Sequence, residues 1–126
     1  MKLLIHLAQA LSLALVLSGC AHWAANPLID KRPSVHIHEL QARFHYPKCV
    51  VSVPLSQDQA IMSAESVGAP RIDEREDWLE LITSMVPDDE LRHVWCNPRR
   101  GPGGVDLIGL FRGGHLVAEV HTVFVD

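Results

Sequence analysis

The chain has 126 residues, 11 of them Lys or Arg and 15 Asp or Glu, for a formal charge of −4 at neutral pH. Such a length holds one small domain beside a targeting segment, and not two. With no basic cluster to neutralise phosphates, nucleic acid is excluded as the expected partner, and charge alone is not expected to hold the chain on anionic lipid.

Residues 1–19 read as an export signal peptide. Lys2 supplies the positive start, Leu3 to Leu17 form an apolar run, and the small residues Ser18 and Gly19 precede a cut. The run is shorter than the roughly 20 apolar residues a spanning helix needs. His6 and Gln9 interrupt it, and Ala21-His22-Trp23 follows with no charged flank. The closing stretch Leu17-Ser18-Gly19-Cys20 resembles the lipobox of bacterial lipoprotein precursors. That resemblance covers about the first 22 residues. It implies cleavage before Cys20, a diacylglycerol on its thiol, and usually a further acyl chain, such as palmitate, on the new amino terminus. More than one acyl chain holds a protein stably on a membrane, so the membrane is the expected partner, through Cys20. Ala21, where inner-membrane lipoproteins carry Asp, resembles outer-membrane sorting in Gram-negative bacteria and implies a lipid-anchored envelope location facing the periplasm. An ordinary secretory signal with a free Cys20, or a retained anchor helix, are the other readings.

Removing 19 of the 126 residues leaves 107 and takes Lys2 away, so the mature charge is −5. Once lipid occupies Cys20, Cys49 and Cys96 remain. In an oxidising compartment such an even remainder reads as a disulfide, against the alternative of two buried thiols too far apart to join.

Residues 20–33 read as a lipidated linker, mixing Asn26-Pro27, the charge run Asp30-Lys31-Arg32 and Pro33. Residues 34–126 read as a single domain. Val35-His36-Ile37-His38 alternates as a half-buried strand would. Leu40 to Tyr46 continues that strand or makes one helical turn, and Pro47 ends it. Cys49 to Val53 is β-branched and reads as a buried strand closed by Pro54. Gln57 to Val67 is a weak helix or a loop. Asp73 opens the strongest helix: Asp73-x-x-Glu76 has capping-box spacing, and Trp78, Leu81, Ile82 and Met85 form one apolar stripe. Pro87 stops it. Leu91 to Cys96 is a short strand, followed by a Gly/Pro-rich loop carrying Arg99-Arg100. Val105 to Phe111 and Leu116 to Val125 are strands joined through Gly113-Gly114, a hairpin signal. The pattern from Asp77-Trp78 to Asp89-Glu90-Leu91, then Phe111 to Val123, resembles small bacterial proteins of unassigned function, and no role follows from that resemblance.

Chemistry has weaker signals. On a strand, His36 and His38 would place two imidazoles on one face, with a third metal ligand drawn from His45, His93, His115 or His121. Zinc or copper would suit such a set, yet no motif spacing accompanies it, and a solvated strand face explains the pair equally. Glu119 and His121 share a face of the last strand and could act as an acid/base pair, but no Gly-x-Ser-x-Gly elbow supplies a nucleophile. Asp88-Asp89-Glu90 lacks the spaced oxygens of a calcium loop. Arg99-Arg100 could meet an acidic partner or serve only as a solubilising loop.

The expectation is therefore an α+β domain: a small, mainly antiparallel sheet under one packed amphipathic helix. The expected role is a non-enzymatic binding or assembly module on an envelope lipoprotein, meeting an envelope protein partner and needing no cofactor. The alternative is a metal-binding periplasmic lipoprotein using the His36/His38 face.

Overall fold

The structure, a computed structural model, describes residues 28–123, so the lipobox, Cys20 and Trp23 lie outside the described residues. Eight elements follow in order: α1 (Ile37–Phe44), β1 (Lys48–Val51), α2 (Gln57–Ser66), a 3-10 turn (Ile72–Glu74), α3 (Glu76–Thr83), β2 (Glu90–Asn97), β3 (Val105–Arg112) and β4 (His115–His121). The strands form an antiparallel sheet in the order β1-β2-β3-β4. This is the expected α+β class, with three α-helices among the described residues where the sequence suggested one packed helix.

Alternation along β2 divides the core in two. Leu91 pairs with Leu110 and His93 with Ile108, facing one side, while Val94 pairs with Leu107 and points to the other. The first side carries a cluster of Ala60, Ala64, Ile72, Trp78, Leu81, Leu91, Ile108, Leu110 and Val120 beneath α2 and α3. On the opposite side Leu40 of α1 joins Val35, Val51, Val94, Leu107 and Phe111. The Cys49–Cys96 disulfide, S–S 2.07 Å, lies within that second cluster and links β1 to β2.

Trp78 and Leu81 are buried, and Ile82 and Met85 pack against the same cluster, so the expected stripe is present. Its start differs. Asp73 sits in the 3-10 turn, Arg75 is the cap residue, and no side chain caps α3. The true capping box is at α2: Gln59 N–H donates to Ser56 Oγ (3.1 Å), and Ser56 N–H donates to Gln59 Oε1 (2.9 Å). The buried face of α2 is Ala60, Ser63 and Ala64. Small side chains at i, i+3 and i+4 carry little hydrophobic signal but let a helix lie close on a sheet, which is why the segment looked ambiguous.

The expected strand through Val35–His38 is instead the start of α1. Ile37, Leu40 and Phe44 repeat at helical spacing, and all three belong to the second core. That periodicity outweighs the short alternation before it. Residues 28–30, read as linker, are bound to the sheet: Asp30 N–H donates to Val51 O and Val53 N–H to Leu28 O, both at 2.9 Å. Buried Arg92 holds the same segment through Asp30 (2.9 Å) while also pairing with Glu90 (2.8 Å). The hairpin forms as expected, with φ of 57° and 83° at Gly113 and Gly114.

Candidate functional site

Three polar side chains from distant parts of the chain meet inside the first core. Ser63 of α2 contacts His93 Nδ1, and His93 Nε2 lies 2.5 Å from Asp106 Oδ1 of β3. A carboxylate only accepts, so Nε2 donates, and in the neutral imidazole Nδ1 is then left to accept from the Ser63 hydroxyl. Thr122 Oγ1 donates to the same Asp106 oxygen at 2.7 Å. Behind the ring, His93 N–H donates to Ser52 Oγ (2.9 Å), fixing the strand beneath it. The order serine, histidine, aspartate is that of a hydrolytic triad.

Its surroundings favour a clamp over a nucleophile. Ser63 is 1% exposed and His93 0%. Ser63 lies in the second half of α2, where the backbone N–H groups bond within the helix and cannot cradle an oxyanion. What the relay does is join α2 to β2 and β3 through satisfied polar groups, in a place where an unpaired one would be destabilising.

The relay also fixes a half-buried aromatic. Trp95 stacks on His93, with ring centroids 4.2 Å apart and planes 16° from parallel. Trp95 and Asn97 line two clefts. The first, about 690 Å3, is bordered by Asp77, Asp106, Glu119 and His121. The second, about 340 Å3, is bordered by Ile29, Val50 and Val67, with Ser63 and His93 at its floor. Trp95 is thus a shared wall between an acidic hollow and an apolar one, a placement suited to binding.

Other expected site residues fall elsewhere. His36 immediately precedes α1, makes no side-chain capping bond and stacks on His115, with centroids 4.2 Å apart, while His38 donates from Nδ1 to Gln41 Oε1 (3.2 Å). Two positions apart on a helix they point to different sides, which corrects the shared face proposed for metal. His115 Nδ1 donates to Glu39 at 2.9 Å, and no group of three metal-ligating side chains exists among the described residues. Glu119 and His121 do approach, at 3.8 Å. Glu119 Oε1 accepts from Arg43 (2.6 Å), whereas its Oε2 is enclosed without a hydrogen-bond partner. Arg99 and Arg100 are exposed in the β2–β3 connection.

Within the acidic turn, Asp89 is held by Arg112 through two hydrogen bonds of 2.9 and 2.8 Å, with Val86 N–H adding a third. The guanidinium first, then that N–H, lower its pKa to about 2. Arg92 likewise lowers that of Asp30. These acids serve the fold and leave no calcium-like oxygen cage. No protein-family model, curated protein or solved structure matches the chain.

The Ser63–His93–Asp106 relay escaped sequence reasoning because no spacing motif joins positions 63, 93 and 106. One trace was present: Arg92-His93 interrupts the apolar strand Leu91 to Cys96, and charged or imidazole groups inside a strand need buried partners.

Proposed function

We propose that this chain is a membrane-anchored envelope lipoprotein, acylated at Cys20, that acts as a non-enzymatic binding module through the clefts on either side of Trp95. The lipobox resemblance supports the anchor, and the outer membrane facing the periplasm is its proposed location in a Gram-negative cell. The observation carrying the binding role is the Trp95 wall: an aromatic ring left partly open, yet immobilised on a histidine that is itself bonded at both nitrogens. Rigid aromatic surface of this kind binds with little loss of side-chain freedom.

A photo-crosslinking residue in place of exposed Asn97, which borders both clefts, should give a discrete adduct in native membranes. The same group at Val117 on β4 should not. Equal adducts at both positions, or none at Asn97, would refute the binding site. The non-enzymatic part has its own test. A fluorophosphonate should leave Ser63 unlabelled in folded protein, and labelling abolished by Ser63→Ala would establish acyl-transfer chemistry instead.

A further inference from the structure

Among the described residues, those at the start of the domain are nearest Cys20 in the sequence. Leu28 and Ile29 are the first described residues, and they are 74% and 54% exposed. They are not a loose tail. Backbone bonds to Val51 and Val53, together with the Asp30–Arg92 ion pair, hold residues 28–30 along the outer side of β1. Ile29 bridges Ser52 in antiparallel register. Alternation along such a segment turns Ile29 toward the apolar cleft of Val50, Val67 and Trp95 and Leu28 to the other side. The β1 edge of the sheet is therefore flanked by apolar side chains on both sides.

The charges beside it are sorted. Asp30, the acid in this stretch, is bonded to Arg92. Lys31 and Arg32, the next two residues, are exposed and make no ion pair among the described residues. Apolar side chains bordered by free cations form the pattern of a segment that settles at a lipid–water interface, the apolar groups below the headgroups and the ammonium and guanidinium level with them.

Chain length limits how far this edge can stand from the anchor. Eight residue steps separate Cys20 from Leu28, and a chain reaches at most about 3.3–3.6 Å per residue. Leu28 thus cannot stand more than about 30 Å from an acyl-bearing Cys20. We propose that the Leu28–Arg32 edge, with the Ile29/Val50/Val67 cleft behind it, rests on the phospholipid surface that anchors Cys20. The acidic hollow of Asp77, Asp106, Glu119 and His121 on the other side of Trp95 is then left for a partner. This rests on the lipoprotein reading above.

The test uses the mature, acylated chain in vesicles of phosphatidylethanolamine and phosphatidylglycerol whose acyl chains are brominated near the headgroup. A bimane fluorophore is attached to Leu28→Cys in one preparation and to Val117→Cys, on β4, in another. Both positions are exposed, so neither label should disturb the core. Bimane at position 28 should be quenched at least threefold more than at 117, and Ile29→Asp should remove most of that difference. Equal or weaker quenching at 28 overturns the proposal, including the case in which a protein covers this edge instead. The mass of the labelled chain reports acylation separately. An acylated chain without quenching refutes the docking and leaves the anchor standing, whereas an unmodified Cys20 removes the anchor and the docking together.

Discussion

Removing the Ser63 hydroxyl is the sharpest probe of the buried relay. Ser63→Ala keeps the volume nearly unchanged but takes away the donor to His93 Nδ1, on a ring that is wholly buried. A buried acceptor left unpaired costs about 1–3 kcal/mol. Alanine is the better helix former by roughly 0.5 kcal/mol, so the net loss should be about 0.5–2.5 kcal/mol at neutral pH. Urea unfolding of the chain from Ala21 onward measures it. Ser66→Ala is the control, since the Ser66 hydroxyl bonds only to Ser63 O within the helix (2.6 Å), and its effect should stay within about 0.5 kcal/mol. Asp106→Asn should also destabilise, and the double variant with Ser63→Ala should lose less than the sum, because both act through one imidazole. Additive losses, or a Ser63→Ala protein as stable as the control, would refute an energetic relay and leave only a close packing contact.

Other expectations concern the frame that carries the site. Trp78 is 3% exposed in the cluster under α3, and Trp78→Ala should cost about 3–5 kcal/mol by urea unfolding. A loss below about 1 kcal/mol would place its role at a surface instead. The Cys49–Cys96 peptides should appear joined in non-reducing mass mapping. With the two cysteines 47 positions apart, reduction should remove about 4 kcal/mol on the loop-entropy model. Asp89 has a folded pKa of about 2, below its ordinary value of 3.8, so its contribution is present above pH 4 and lost as pH falls toward 2. Arg112→Gln should move the Asp89 carboxyl titration, followed by NMR, back up toward 3.8. An unmoved titration would assign the shift to the Val86 N–H alone.

How much of this was legible depended on whether a residue's partners were local. Trp78, Leu81, Ile82 and Met85 announced their face because helical spacing is a property of neighbours, and Gly113-Gly114 announced a turn in the same way. Ala60, Ser63 and Ala64 form an equally buried face, yet alanine and serine occur on exposed helices too, so the pattern named no side. The Ser56-x-x-Gln59 box was the readable sign of α2, and it outranked the Asp73-x-x-Glu76 spacing that the 3-10 turn left unused. Val35 to His38 failed for a related reason. Four alternating residues fit a strand and the first turn of a helix alike, and only Leu40 and Phe44 further on settle which period holds.

The site itself lay beyond local reading, because its members are linked by the sheet register. His93 stands opposite Ile108 and Trp95 opposite Asp106, so the strand pairing carries Asp106 within reach of the His93 ring, one pair along the same face. A shift of that register by a single residue would send Asp106 to the other side of the sheet and bring Leu107 opposite Trp95. The imidazole would then lose its acceptor and Trp95 its fixed backing. Fold and site therefore depend on the same pairing. The β2–β3 register also positions Val94 against Leu107 in the disulfide-bearing core and His93 under Trp95 in the helix-covered one. A substitution in the disulfide-bearing core that loosens β2 should consequently weaken the proposed binding at Trp95 without touching either cleft.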